Sequence, residues 1–546
     1  RRAIWDRNSV YRDKFGSTKM RKFLLATVAA AAISGAVVAA PVNAETLRWA
    51  FQGDAQSLDP YSLNETFTLG LLGNVYEGLV RRGPDLQIQP ALAESWEIVE
   101  PTRWRFKLRQ GVKFQNGNEF NADDVLFSAD RVRAEGSDLK TRLAGVTEIV
   151  KVDDYTVDFV TEAPNPILHY EWATWYIMDK EWAEANDATA PTDVGAGKEN
   201  FATRNTNGTG PFMVTECETD VKTVLLPYEG WWDKPTHNLT EVIFTPIGSD
   251  STRVAALLSG EIDMMYPVPV QDMARLESDP NTDVLAGPEL RTIFLGMDQE
   301  YDELLYSNIK GKNPFKDVRV REAFYRAIDI EAIKQKIMRG LAAPSAIMIS
   351  PFLFSRSDEI ERLPYDVEMA KKLMAEAGYA DGFEVGMDCP NNRYVNDEKI
   401  CQAVVAMLAR INVKVDLLAQ PKAQYFAKIL RPKRDTSFYL LGWTPGSFDS
   451  WNVMYNIIGS PEESGRGKFN VGGYSNARVD ELTDMVLSET DAEARDAMIA
   501  EAFKIVHDER GYIPLHQQGL AWGKRTNVDL AQRADNQFML YYVTKN

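Results

Sequence analysis

Two short loops in the C-terminal half of the chain carry the residues best suited to chemistry. In the first, Cys389-Pro-Asn-Asn-Arg-Tyr-Val-Asn-Asp397, the guanidinium of Arg393 can fork two hydrogen bonds onto a carboxylate or phosphate, with Asn392 beside it. In the second, Gly442-Trp-Thr-Pro-Gly-Ser-Phe-Asp449, Trp443 can stack on a ligand and Asp449 offers a carboxylate, with Gly442 and Thr444 as their neighbours. Near the N-terminus, Gln52 and Asp54 stand where an expected first strand runs into a loop of turn-forming residues. Each has an ordinary structural alternative: a solvated loop arginine, a core tryptophan, or turn aspartates. Polar groups beside aromatics at strand ends suit binding a small solute without transforming it.

The motifs of catalysis are missing. There is no GxSxG elbow, HExxH, complete phosphate loop, dinucleotide fingerprint or Ser-x-x-Lys set with partners. Residues 195–198 are only a fragment of a phosphate loop, because Glu199 replaces the Ser/Thr. The four histidines are dispersed without metal-ligand spacing, so neither a metal nor a cofactor is expected. Of three cysteines, Cys389 and Cys401 flank the Asn-rich loop and are the expected disulfide, leaving Cys217 free; the alternative is three unpaired thiols. The formal net charge is −18, and residues 1–44 are basic, so the rest is more acidic still. That argues against nucleic-acid binding, which needs a basic footprint.

Met20 opens an expected secretory signal at residues 20–44. Arg21-Lys22 is its positive region, followed by an Ala-rich apolar run and Val42-Asn43-Ala44 before cleavage. Residues 1–19 fit no targeting pattern and are set aside as an upstream extension. A membrane anchor is the alternative reading, disfavoured because the run is short and ends in Pro41.

From residue 45 onward, strand and helix patterns alternate, which defines an α/β chain too long for one sheet. Residues 95–99 and 103–109 predict two strands, the second placing Trp104, Phe106 and Leu108 on one face by period two. Asn116-Gly117 makes a turn, and Asn121 caps a helix with Asp123 and Asp124 in its first turn. Residues 66–80 predict a helix, 261–265 and 290–297 strands, and 492–508 another helix. Aromatics at Trp172, Trp175, Tyr176 and Trp182 read as core rather than ligand surface.

Residues 91–131 also closely resemble the signature of the extracytoplasmic solute-binding proteins of family 5, the peptide and nickel group that feeds ABC importers. The matching pieces are LAESWE, FKLR, GVKF, the Asn-Gly turn and ADDVLFSADR. GTGPF at 208–212, Trp231-Trp232, STRVAALLSGEIDMM at 251–265 and PFKDVRVREAFYRAID at 314–329 extend the resemblance over nearly all of residues 45–546.

The resemblance implies a two-lobed periplasmic binding fold with a ligand cleft between lobes. On that expectation residues 45–80 and 211–297 belong to lobe I, 81–210 to a subdomain inserted in it, 298–511 to lobe II and 512–546 to the return into lobe I. It implies a monomeric periplasmic receptor of a Gram-negative cell, not an enzyme, delivering solute to a permease with separate ATPase subunits. Arg393 falls where dipeptide-binding relatives hold the ligand's carboxylate. Those relatives often carry an aspartate just after Gly-Trp-Thr for the ligand's amino group, whereas Pro445-Gly446 stands there in this chain and Asp449 is the nearest carboxylate. The expected ligand is a short peptide or an amino-acid conjugate such as an opine; the alternatives are an oligosaccharide or sugar conjugate, then a nickel chelate. A secreted hydrolase is the rival class, and a chaperone-like role a third.

Overall fold

The computed structural model describes residues 45–193, 197–431, 433–463 and 465–546. The expected signal segment, the upstream extension and residues 195–196 of the phosphate-loop fragment lie outside them.

An eleven-stranded mixed sheet runs through the whole molecule. Its centre is an antiparallel pair of long strands, Thr282–Met297 and Tyr512–Arg525, which cross from one lobe to the other. On one side of this pair lie Met264–Met265, Glu45–Phe51, Leu239–Pro246, Lys222–Pro227 and Phe212–Glu218, the sheet of lobe I. On the other side lie Phe438–Trp443, Glu384–Pro390 and Lys414–Gln420, the sheet of lobe II, and the eleventh strand, Ala342–Pro344, pairs with Tyr512–Arg525 off this path. The molecule is thus a two-lobed α/β binding fold. Alternation at period two sends successive side chains to opposite faces. Ile293, Leu295, Phe438 and Leu440 enter one lobe II core with the helix Asp397–Leu408, while Phe294, Tyr439 and Leu441 enter another with the helices Ala477–Ser488 and Ala492–Asp508. Both faces are covered, which is why these strands read as unbroken apolar runs.

The signature stretch forms a separate four-stranded antiparallel sheet: Ala93–Glu100, Arg103–Leu108, Thr156–Thr161, Val146–Asp153 in spatial order. Trp104, Phe106 and Leu108 are buried, as their alternation requires. Asn121 caps the helix Ala122–Arg133 in a reciprocal capping box with Asp124. Trp172 and Trp175 are fully buried in the core shared with lobe I.

Three sequence expectations shift. The helix expected at 66–80 ends at Leu72, where Asn74 turns its amide onto the Gly70, Leu71 and Phe538 carbonyls. Gly78 then passes so close to residue 172 that a Cβ would lie 2.5 Å from the Trp172 carbonyl oxygen. The strand expected at 261–265 shrinks to Met264–Met265, because the amides of Glu261 and Ile262 close the preceding helix on Ala256. The crossing strand expected at 290–297 begins at Thr282, its first half hidden in sequence by Gly287-Pro288.

One buried ion pair joins the signature helix to lobe I. Arg131 donates from Nη1 and Nη2 to the two oxygens of Asp59 at 2.8 and 2.5 Å, with both side chains 0% exposed. Breaking a buried pair on one side leaves an uncompensated charge. Arg131→Met is therefore expected to destabilise the protein by about 3–5 kcal/mol. Urea unfolding of the two proteins checks this, and a loss below about 1 kcal/mol, the range of an exposed pair, would contradict it.

Candidate functional site

Between the lobes lie two cavities that meet at a neck. The larger, about 900 Å³, is lined from lobe I and its inserted subdomain by Glu77, Arg82 and Tyr170, and from lobe II by Trp443, Phe448 and Trp451, among others. The smaller, about 690 Å³, lies against the crossing strands and is lined by Gln52, Tyr266, Glu289, Asn392, Gln518 and others. Glu65, Thr66, Arg291, Arg393 and Tyr394 border both. No residue from 91 to 131 lines either cavity, although Arg142, Tyr170 and Glu171 of the same subdomain do.

Arg393 stands at the neck. Its backbone amide donates to Asp397 Oδ2 at 2.9 Å, and Tyr394 N does the same, so a buried aspartate holds the loop that presents it. The loop is closed by the Cys389–Cys401 disulfide at 1.98 Å; Cys217 is free and half-buried. Nothing among the described residues accepts a hydrogen bond from the Arg393 guanidinium; it rests 5.1 Å from the Tyr394 ring centroid. Burial, then the neighbouring Arg291 cation, lowers its pKa. An incoming anion relieves both costs.

The remaining sequence candidates divide. Gly442, Trp443 and Thr444 line the larger cavity, and Gln52 and Asn392 the smaller. Trp443 is held by Nε1 donating to Asn452 Oδ1 at 3.0 Å and packs against Phe469. The hydroxyl of Thr444 has no hydrogen-bond partner among the described residues. A Cβ on Gly442 would come within 2.7 Å of Ile293 and 2.8 Å of Tyr394, so the close packing there requires glycine. Asp449 and Asp54 line neither cavity. Asp449 caps a short helix through Trp451 N and takes both Nη groups of Arg495 at 2.8 and 2.7 Å, which occupies its two oxygens. Asp54 accepts the amide of Ala55 within its own loop and the distant amide of Asp220, so both its oxygens serve the protein's own backbone.

Several residues that matter were not singled out from sequence. Arg82 donates to the carbonyls of Leu86, Tyr170 and Ser447, and its guanidinium lies 4.1 Å from the Phe448 ring centroid. Ser447 and Phe448 belong to lobe II, so this one side chain spans the mouth of the cleft. Burial lowers its pKa to about 10. Beside it, Glu171 of the inserted subdomain bonds Arg142 at 2.8 Å and receives Asn452 Nδ2 of lobe II at 3.1 Å. Glu77 lines the larger cavity and receives Trp232 Nε1, Thr209 Oγ1 and Trp231 Nε1. Burial raises its pKa to about 7. The sequence signal for Arg82 was thin, a second arginine in a short Arg-Arg-Gly, and Glu77 sits in an apolar context with no partner in view.

A cleft between two α/β lobes, presenting the open guanidinium of Arg393 beside several aromatics, is the kind of site a two-lobed binding protein carries. A family model for bacterial extracellular solute-binding proteins, family 5, matches residues 87–465, and the chain belongs to that family. Heme-binding protein A of Haemophilus influenzae is 28% identical over 474 residues, 82% of each chain. The glutathione-binding protein GsiB of Salmonella typhimurium is 26% identical over 514 residues, 92% of this chain and 94% of its own. Among solved structures, the periplasmic binding protein DppA of Helicobacter pylori in complex with the peptide STSA superposes with a TM-score of 0.78 at 24% identity, covering 92% of this chain and 98% of that one. AgaA of A. tumefaciens in complex with agropinic acid gives 0.75 at 22%, covering 92% and 100%. The protein is a solute-binding protein.

Two outcomes follow from this geometry. Arg82→Ala removes a bond and a cation–π contact across the cleft, together about 1–3 kcal/mol. Small-angle scattering of the variant should give a larger radius of gyration than wild type, and equal radii would mean that closure does not depend on Arg82. Glu77 binds its proton more tightly folded than unfolded, so its contribution to stability is full below its ordinary range and is lost as pH rises to about 7. The stability of wild type minus that of Glu77→Gln should therefore fall between roughly pH 4.5 and 7; a flat difference in pH-dependent urea midpoints would refute this.

Proposed function

We propose that this protein captures a small anionic solute, a short peptide or an amino-acid conjugate such as an opine, by closure of its two lobes, and hands it to the membrane subunits of an ABC importer. The observation that carries the reading is the free guanidinium of Arg393 at the neck of an interlobe cleft. A half-buried cation without a partner is costly alone and is stabilised by a carboxylate that reaches it. Trp443 and Thr444 supply a face and an unpaired hydroxyl on the same lobe. Contacts from both lobes favour the closed state, since a ligand shifts the equilibrium only through what it touches there. The protein acts as a monomer outside the cytoplasmic membrane, exported by the segment at residues 20–44, and performs no catalysis. Relatives named for glutathione, a peptide and agropinic acid all carry carboxylates, which accords with this choice.

Native mass spectrometry of the purified protein, with bound solute released and identified, tests the ligand class directly. A neutral oligosaccharide would replace the anion reading, and conversion of solute to product would replace binding with hydrolysis. For the site, Arg393→Ala should weaken binding of the released solute by about 1.5–3 kcal/mol, the range of a hydrogen bond to a charged group. Unchanged affinity in calorimetry would remove Arg393 from the site.

A further inference from the structure

The neck holds a second guanidinium, and a defect in the crossing strands places it there. Pro288 pairs with Gly519 and Thr292 with Gln517, so Glu289, Leu290 and Arg291 stand opposite the single residue Gln518. Bulges of this kind re-aim side chains beside binding sites. Leu290 turns into the interior, while Glu289 and Arg291, two residues apart, both reach the cleft. Glu289 is secured by Gln518 Nε2 at 2.5 Å and by Arg291 Nε at 3.2 Å. Arg291 is 5% exposed, yet Nη1 and Nη2 have no hydrogen-bond partner among the described residues. Its guanidinium lies 5.7 Å from the Tyr394 ring centroid, and that of Arg393 lies 5.1 Å from the same centroid. Two unfilled guanidinium forks, one on the crossing strand and one on a lobe II loop, therefore bracket one tyrosine and border both cavities.

Resting on the reading that Arg393 takes the solute's carboxylate, we propose that Arg291 is its second ligand and that the smaller cavity is a specificity pocket for the substituent on the carboxylate-bearing carbon. With its carboxylate at the neck, a solute can send one substituent of the carbon bearing it into the larger cavity and another into the smaller, because the neck residues border both. Beyond the two arginines, the acidic residues Glu65, Asp250, Glu289, Asp397 and Glu398 line the smaller cavity against the single cation Lys399, and although each carboxylate already accepts a hydrogen bond from the protein, only Asp250 and Glu289 take theirs from an arginine side chain. Amides of Gln52, Gln271 and Asn391 add neutral hydrogen-bonding groups. That lining suits a long polar or cationic substituent and disfavours an acidic one.

Calorimetry with alanyl-glycine, alanyl-arginine and alanyl-glutamate as probes tests this on the full chain freed of bound solute. Alanyl-arginine is expected to bind at least tenfold more tightly than either other probe. Arg291→Gln should weaken all three roughly tenfold or more, as loss of a charge-assisted hydrogen bond does. Gln52→Trp, a change at an exposed side chain on the wall of the smaller cavity, should shrink the preference for arginine over glycine. If the probes bind in an Arg393-dependent way but with equal affinities, or if Gln52→Trp leaves the preference intact, the specificity pocket is refuted while the carboxylate reading stands. If Arg291→Gln binds as wild type does, Arg291 is not a ligand. If no probe binds wild type, both readings fail for amino-acid carboxylates. Thermal melts of each variant confirm that it is folded.

Discussion

The structure depends on one antiparallel ladder. The strands Thr282–Met297 and Tyr512–Arg525 pair from Thr282↔Arg525 to Gly296↔Tyr512 and belong to both lobes at once. Each lobe builds its sheet outward from this pair, so the relative position of the lobes is set by how the ladder twists. The register breaks twice, at residues 288–292 and at 293–294, and both breaks fall where the strands leave lobe I for lobe II. A ladder that is continuous within each lobe and irregular between them confines bending to a few residues and keeps both cores intact. The first irregularity also carries Glu289 and Arg291. The break in the ladder between the lobes is therefore also the place where charge reaches the cleft.

Charge in the cleft is arranged by what is paired and what is not. Arg142 has Glu171, Arg533 has Asp535 and Arg81 has Asp233, so these cations are already neutralised by the protein. Arg82 is satisfied by three carbonyls and two rings and serves to join the lobes. Arg393 is left with open donors. A half-buried guanidinium without acceptors carries a desolvation cost, and on the proposed reading an arriving anion offsets it. On that reading, anion binding and lobe closure are coupled through this arrangement.

Much of this was legible in sequence, and the failures have physical causes. Period-two alternation located the strand of Trp104, Phe106 and Leu108, and capping chemistry located the helix after Asn121. These signals are local, so they survive without tertiary information. Arg393 and Trp443 were singled out because a loop between strand and helix exposes its chemistry in sequence, and both line the cleft. Arg291 was missed because it lies in a strand that reads as buried core. The one available sign was a Glu-x-Arg pair inside an otherwise apolar run, a spacing that puts both charges on one face. Asp449 was misjudged because its partner, Arg495, lies 46 residues away on another helix, and no local pattern reports such a pair. The helix at 66–80 was drawn too long because its second half is folded back by contacts to residues 172 and 538.

The loop from Gly442 to Asn452 explains why its sequence departs from the peptide binders it resembles. Asp449 with Arg495 fixes the loop from within lobe II, and Phe448 adopts a positive φ of 57° to lay its ring on Arg82. Gly446 faces the Arg142–Glu171 pair, and a Cβ there would stand 3.3 Å from Glu171 Oε2, closer than an ordinary contact. Pro445-Gly446 thus lets the loop approach the inserted subdomain and leaves Glu171 free to receive Asn452. An aspartate at this point would set a second carboxylate against Glu171 in a cleft of low polarity, where like charges repel strongly. The loop has exchanged a ligand-binding carboxylate for a surface that meets the opposite lobe. On the proposed reading, recognition of the solute falls to the cations at the neck, while the Trp443 loop meets the opposite lobe through Phe448 on Arg82 and Asn452 on Glu171.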